Sequence, residues 1–309
     1  MQSKYDDDKS NFLGPKVTQY DGHMIMTNVN KPTKRKFINI NTAFRDEYSD
    51  YGPKSIASCE ISIQDRITDV KAMVVRNIEI PMSSYNFSSA IGNTYFQIKN
   101  GNQSVMVVIP DGEYTRDLLF TAINAAISNQ PAPYNDLKYD ISQSSNFGST
   151  LSTNSGELEV HFAVDINGGF DGNNFKKKLG WFLGFRDTTY TVTTDEIVSE
   201  GFIDLLGIRY MYLVVDEYTR GTQNSFIATL PSSLVRKNIL ARIAMNKSTF
   251  PFGSCLPANN FNGLLLSDKR TYSGKVDIRK LSVQLVDDIG NPVSLNGLDF
   301  SFCLEVEHE

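Results

Sequence analysis

The chain is poor in the residues that do chemistry. Its 309 residues include three histidines, three cysteines and one tryptophan. The histidines are His23, His161 and His308, and no two share the spacing by which a helix grips a metal in an HExxH motif. Cys59, Cys255 and Cys303 are too few and too scattered for a disulfide framework, and no pair has CxxC spacing, so a reducing compartment is the simpler expectation. There is no GxxxxGK[ST] loop to cradle phosphates and no GxSxG elbow to present a serine nucleophile. Long apolar runs are missing as well. The strongest, residues 105–109 and 179–185, are far too short to span a bilayer, and the opening MQSKYDDDKSNF lacks the apolar core of a signal peptide. The expectation is a soluble protein, intracellular at synthesis, with no cofactor, no metal and no small-molecule substrate.

Charge is balanced toward acid. Thirty Lys and Arg stand against 35 Asp and Glu, a formal net charge of -5, so nothing draws the whole surface to nucleic acid or anionic lipid. Two local runs could still meet phosphate. They are Lys34-Arg35-Lys36, and Lys176-Lys177-Lys178 with Phe175 and Trp181 beside it, where the ring could stack a base. Such runs are usually solvated faces. The stretch Asp165-Ile166-Asn167-Gly168-Gly169-Phe170-Asp171-Gly172-Asn173 invites a calcium reading but fails the EF-hand pattern. Phe170 stands where glycine is required, and Lys176 where the bidentate glutamate belongs. A plain turn-rich loop is the competing reading. The Gly180/Gly184 pair, in a seven-residue apolar run, means close packing or helix ends. Asn86, Asn102 and Asn246 stand in glycosylation sequons that read as chance occurrences without a signal peptide.

What is present is strand pattern. Phe300, Phe302, Leu304 and Val306 alternate with Ser301, Cys303, Glu305 and Glu307, a half-buried antiparallel strand. Upstream, Val276 and Ile278 lie in one phase and Leu281, Val283 and Leu285 in the other, which predicts a β-bulge at Arg279-Lys280. Residues 287–292 begin a long hairpin connection between these two segments. Further strands are expected over 37–41, 59–63, 70–80 (stopped by Pro81), 95–98, 105–109, 158–164, 209–216, 225–230, 239–245 and 263–267. Asn100-Gly101-Asn102 turns one pair. Thr115 caps a helix with an apolar stripe of Leu118, Leu119, Ala122, Ile123, Ala126 and Ile127, ending before Pro131. Residues 142–156 read as a loop, and 175–185 as a short helix ending at Gly184.

The organisation that follows is an extended N-terminal arm over 1–36, a β-sandwich over 37–90 and 201–309, and an α+β subdomain inserted at 91–200. The arm is either a disordered tail or a segment that orders on a neighbouring subunit. Phe12, Leu13, Tyr20, Met24, Ile25 and Met26 favour the second, because a solvating tail has no need of apolar anchors.

Several blocks in one order carry a likeness. They are Phe37-Ile38-Asn39-Ile40-Asn41 with Phe44-Arg45-Asp46, Ile78-Glu79-Ile80-Pro81, Ile109-Pro110-Asp111-Gly112-Glu113-Tyr114-Thr115, Leu179-Gly180-Trp181-Phe182-Leu183-Gly184-Phe185, and Asn238-Ile239-Leu240-Ala241-Arg242-Ile243, followed by Val276-Asp277-Ile278 and Asp299-Phe300-Ser301-Phe302. Over about 37–309 the chain resembles the minor capsid proteins of large icosahedral nucleocytoplasmic DNA viruses, and departs from their pattern at Asn41, where they usually carry Asp. The resemblance implies a mainly β protein, a jelly-roll-type antiparallel β-sandwich, and a non-enzymatic structural role in the virion. Its partners would be the major capsid protein, other minor capsid proteins and copies of itself. A penton subunit at the vertices and a cement protein under the shell are both compatible. So is a surface module binding glycan or calcium, which exposed Tyr134 or Tyr139 beside a pocket would favour.

Overall fold

The computed structural model describes residues 17–20, 24–27, 32–46, 58–141, 148–154, 156–219, 222–223 and 238–309. Strands β1 (Val17–Tyr20) and β2 (Met24–Thr27) come first and pair antiparallel with each other. Strand β3 (Lys34–Asn41) opens the main body. It starts inside the segment expected to be arm, because Lys34-Arg35-Lys36 pairs with His308, Glu307 and Val306. Of the arm's anchors, Tyr20, Met24, Ile25 and Met26 lie in β1 and β2, and Phe12 and Leu13 lie outside the described residues. Asn41 caps a 3-10 turn over Thr42–Phe44, its side-chain oxygen accepting from the Ala43 N–H at 2.9 Å. An aspartate would accept the same bond, so the departure from the resembled pattern leaves this turn intact.

The expected strands over 59–63 and 70–80 are one strand, β4 (Ser58–Pro81), 24 residues long. No Gly or Pro separates the two halves. Asp69, at φ 55°, and shifts of register absorb the change of phase instead. Strands β5 (Tyr95–Asn100) and β6 (Gln103–Val108) form the expected hairpin, and helix α1 (Arg116–Ser128) is capped by Thr115 and buries Leu119, Ile123 and Ile127. Strand β7 (Leu137–Ile141) follows. Strand β8 (Gly148–Thr153) lies within the stretch read as a loop. Its serines and threonines mislead because they are buried and bonded: Ser149 Oγ donates to the Leu183 carbonyl at 2.7 Å and meets the Tyr139 hydroxyl at 3.1 Å.

Strand β9 (Leu158–His161) stops earlier than its alternation predicts. The helix expected over 175–185 divides into a 3-10 turn (Gly172–Lys177) and α2 (Leu179–Phe182). Gly184 beyond it sits at φ 98°, and a Cβ on Gly180 would come within 2.2 Å of the Phe162 ring. Then come β10 (Thr189–Val192), β11 (Ile197–Phe202), β12 (Tyr210–Asp216), β13 (Thr222–Gln223), β14 (Ile239–Ala244), β15 (Cys255–Asn259), β16 (Leu265–Ser267), β17 (Arg270–Val286) and β18 (Ser301–His308). The strand expected over 225–230 lies outside the described residues.

The main sheet runs β16-β14-β12-β17-β4-β18-β3, with β13 on β17 and β15 on β4. β17 and β18, expected as a hairpin, are not neighbours: β4 lies between them. The register shift predicted near Arg279-Lys280 is present, but the extra residues are on the partner. Between Ile278↔Ile67 and Lys280↔Ser62, two steps of β17 take up five of β4. The sheet curls until the Val75 N–H meets Ser267 Oγ at 3.1 Å, which returns β16 to β4. The product is a jelly-roll-type antiparallel sandwich around Met73, Val75, Leu213, Val283, Phe302 and Leu304, all buried.

A second core gathers Phe87, Phe96, Leu119, Ile123, Phe162 and Phe185 between the β10-β9-β5-β6 sheet, the β11-β8-β7 sheet and the two helices. The two bodies are joined at buried Asn86. Its amide donates to the Tyr114 carbonyl (2.9 Å) and accepts from the Tyr114 N–H (2.8 Å), with Lys247 Nζ on Glu113 Oε1 (2.8 Å) beside it. Both amide atoms of that sequon are therefore occupied.

Gly180→Ala is expected to destabilise the protein by about 1–3 kcal/mol, because its methyl must displace the Phe162 ring. Denaturant unfolding monitored at Trp181 measures it, and an unchanged midpoint would refute the close approach.

Candidate interaction surface

The outward face of the sheet carries ionic rows. Alternation along β18 points Glu305 and Glu307 outward, yet Glu305 is buried. Arg76 Nε reaches its Oε2 at 2.6 Å, and Arg35 Nε, from β3, reaches its Oε1 at 3.4 Å. Glu307 pairs with Lys269 at 2.5 Å, and Glu309 with Lys71 at 2.9 Å. The Arg76 hydrogen bond holds the Glu305 carboxyl below the usual 4.5. Lys34-Arg35-Lys36 is thus committed in part to this sheet.

The other basic run is dispersed by its backbone. Lys178 is buried, bonding Asp171 at 2.8 Å with its Nζ 3.3 Å from the Tyr95 hydroxyl. Lys177 donates to Asn291 at 3.2 Å. Lys176 lies 5.7 Å from the Trp181 ring centre, and the Arg186 guanidinium covers that ring at 4.1 Å. Phe175 meets it edge-on. A base seeking to stack on Trp181 would have to displace Arg186.

In the loop read for calcium, Asp165 accepts the Asn167 and Gly169 N–H groups at 2.8 and 2.9 Å, and Asp171 is neutralised by Lys178. Among the described residues no group of three His, Cys, Asp or Glu side chains is placed to hold a metal ion. Tyr134 and Tyr139, the aromatics that exposure would have assigned to glycan, are buried. The histidines in view have local partners, His161 with Glu159 and Thr189, and His308 with the Glu309 carbonyl. All three thiols are free, and burial pushes the Cys59 thiol up to about 11, far from nucleophilic readiness.

A buried ion pair, Arg270 with Glu217, lies in the main sheet. Arg270, 1% exposed, gives Nη1 to Glu217 at 2.8 Å and to the Val215 carbonyl at 2.7 Å. Its Nε and Nη2 find no partner of hydrogen-bond geometry among the described residues, and the Tyr272 hydroxyl lies within electrostatic reach of both Arg270 and Glu217.

The remaining feature is apolar and outward. Phe44 on the 3-10 turn and Phe261 between β15 and β16 are 81% and 101% exposed, and Phe37, Phe170 and Phe202 are also turned to solvent. Composition alone hides them. The readable signal is an aromatic among turn formers, as in Asn259-Asn260-Phe261-Asn262-Gly263, where the backbone cannot enter a core.

The geometry defines a jelly-roll-type sandwich with an α+β body attached, bearing exposed aromatics. No protein-family model matches the chain, and no curated protein does. Among solved structures it is similar to the mavirus penton protein (TM-score 0.44, 12% identity, covering 90% of this chain and 100% of that one). It is also similar to a chain of the Sputnik virophage (TM-score 0.38, 12% identity, 90% and 98%).

Two outcomes follow. Glu305, depressed in the folded state, contributes stability above the ordinary carboxyl range that is lost as pH falls through its folded value. The melting temperature of the wild type is therefore expected to approach that of Glu305→Gln between about pH 5 and pH 3, and parallel pH profiles would refute the pairing. Arg270→Met is expected to cost about 3–5 kcal/mol by stranding Glu217, and Arg270→Met with Glu217→Leu to recover most of it. Denaturant titration of both variants checks this.

Proposed function

We propose that this protein is a structural subunit of an icosahedral viral shell, a minor capsid protein that works by touching its neighbours in the virion. The exposed phenylalanines carry the reading. Phe37, Phe44 and Phe261 project from the sandwich, and Phe170 and Phe202 from the α+β body, each strongly exposed and on a separate element or loop. Dispersed apolar contacts suit a brick with several partners, whereas a ligand site gathers its aromatics in one concavity. Each buried phenylalanine would contribute about 1.5–3 kcal/mol at an interface. A jelly roll supports this arrangement because it holds loops and corners rigidly while hiding most strand edges. The sequence blocks quoted above, which resemble minor capsid proteins, support the same role. Its partners would be the major capsid protein, other minor capsid proteins and further copies of this chain. Vertex and under-shell positions remain alternatives within the reading.

Phe44→Ser combined with Phe261→Ser is expected to leave the melting temperature nearly unchanged and to abolish incorporation into particles. Electron cryomicroscopy of purified particles, with and without the substitutions, tests both parts. Finding the wild-type protein only outside particles would defeat the proposal.

A further inference from the structure

We infer that the N-terminal strand pair of one copy adds to the free edge of β3 in a second copy, a proposal that rests on the assembly reading above. Strand β3 pairs with β18 along its whole length, from Lys34↔His308 to Asn41↔Ser301. It ends the sheet, so its other edge has no partner strand among the described residues. That row of N–H and C=O groups is a template for an incoming strand. Among the described residues it is open: Lys34, Arg35, Lys36, Phe37 and Asn39 are all exposed.

The candidate strand is in the same chain. Among the described residues β1 and β2 pair only with each other, and a lone two-stranded pair is marginal in water. The β2 sequence, Met24-Ile25-Met26-Thr27, is uncharged and apolar, a composition that gains by joining a sheet. Residues 28–33 separate β2 from β3, a length compatible with folding back on the chain's own edge. Yet β2 and β3 share no register in the structure. The edge and the strand pair are thus both left over within one copy, and exchange of an identical element between copies satisfies both.

Charge favours one orientation. Val17 stands opposite Thr27 in the pair, so the segment preceding β1 emerges at the end of β2. If β2 adds antiparallel to β3, that end lies toward Lys34. The preceding segment carries Asp6-Asp7-Asp8, and β3 begins with Lys34-Arg35-Lys36. Antiparallel addition starts the acid-bearing segment beside the basic run, whereas parallel addition starts it at the far end of β3.

The test uses the full chain. Equal amounts of nitrogen-14 and nitrogen-15 protein are mixed, treated with a zero-length carbodiimide cross-linker and digested. Hydrogen exchange of residues 34–41 is followed in parallel across a concentration series. The expected result is links from Asp6–Asp8 to Lys34 or Lys36, about half of them joining unlike isotopes as random exchange between copies requires. Exchange at 34–41 is expected to slow by at least about tenfold as the oligomer forms. Lys34→Glu with Lys36→Glu, both on exposed side chains, should weaken the oligomer and remove the links. Links only between like isotopes place the strand pair on its own chain and overturn the inference. An oligomer or particle that forms while 34–41 exchange freely also overturns it, and leaves the shell reading standing. A chain that stays monomeric at every concentration and is absent from particles overturns both.

Discussion

A strand of 24 residues cannot lie in one layer of a sandwich, and the architecture follows from how β4 meets that constraint. Drawn straight it would reach roughly 80 Å, several times an ordinary strand. It bends instead, giving its first residues to β17, its later ones to β18 on one edge and its last to β15. Its pairing with β17 shifts register three times and its pairing with β18 twice, and Asp69 carries the left-handed backbone that lets the strand turn. β17 is shared in a similar way, pairing with β4 over residues 270–284 on one edge and with β12 over 282–286 on the other. Two long bent strands thus link the halves of one sheet, which is why the core can close without separate sheets meeting edge to edge.

The same constraint explains what could be read in advance. Alternation over 300–306 and 37–41 was legible because each of those strands keeps one phase, with Phe302, Leu304 and Ile40 on the buried side. β4 was not legible as one strand, because its phase changes where no turn residue announces a break. β8 failed for a different reason. Buried Ser149, Thr150 and Thr153 look like loop composition until their hydrogen bonds are known, and those bonds depend on Tyr139 and Leu183 from elsewhere in the fold. Pairing order was beyond the local pattern altogether. β17 and β18 are consecutive in sequence, and only the long reach of β4 places it between them. The outward phenylalanines were partly legible. Phe261 stands among turn formers, whereas Phe37 lies in an alternating strand and reads like any other apolar position.

Outward-facing charge in this protein is not simply solvation. Glu305 sits on the polar phase of β18 and is nevertheless shielded by arginines from two different strands. An exposed ion pair contributes little, because water competes for both partners. A carboxylate buried between two guanidinium groups has less access to that competition, and its pairing ties β3, β4 and β18 together on the face opposite the core. The sheet edge is therefore fastened from both sides, by Ile40 and Phe302 inside and by Arg35 and Glu305 outside.

That fastening bears on what a sheet edge can do. A frayed edge strand exchanges partners indiscriminately, and proteins ordinarily blunt such edges with lysine or with bulges. β3 has lysines at one end, but it is held in a single register over eight pairs. An edge that is rigid and, among the described residues, unpaired presents a fixed row of donors and acceptors, so an incoming strand loses little entropy beyond its own. Rigidity on the β18 side is thus what makes selectivity on the open side physically attainable, and it is the property a subunit needs if its contacts are to repeat identically around a closed shell.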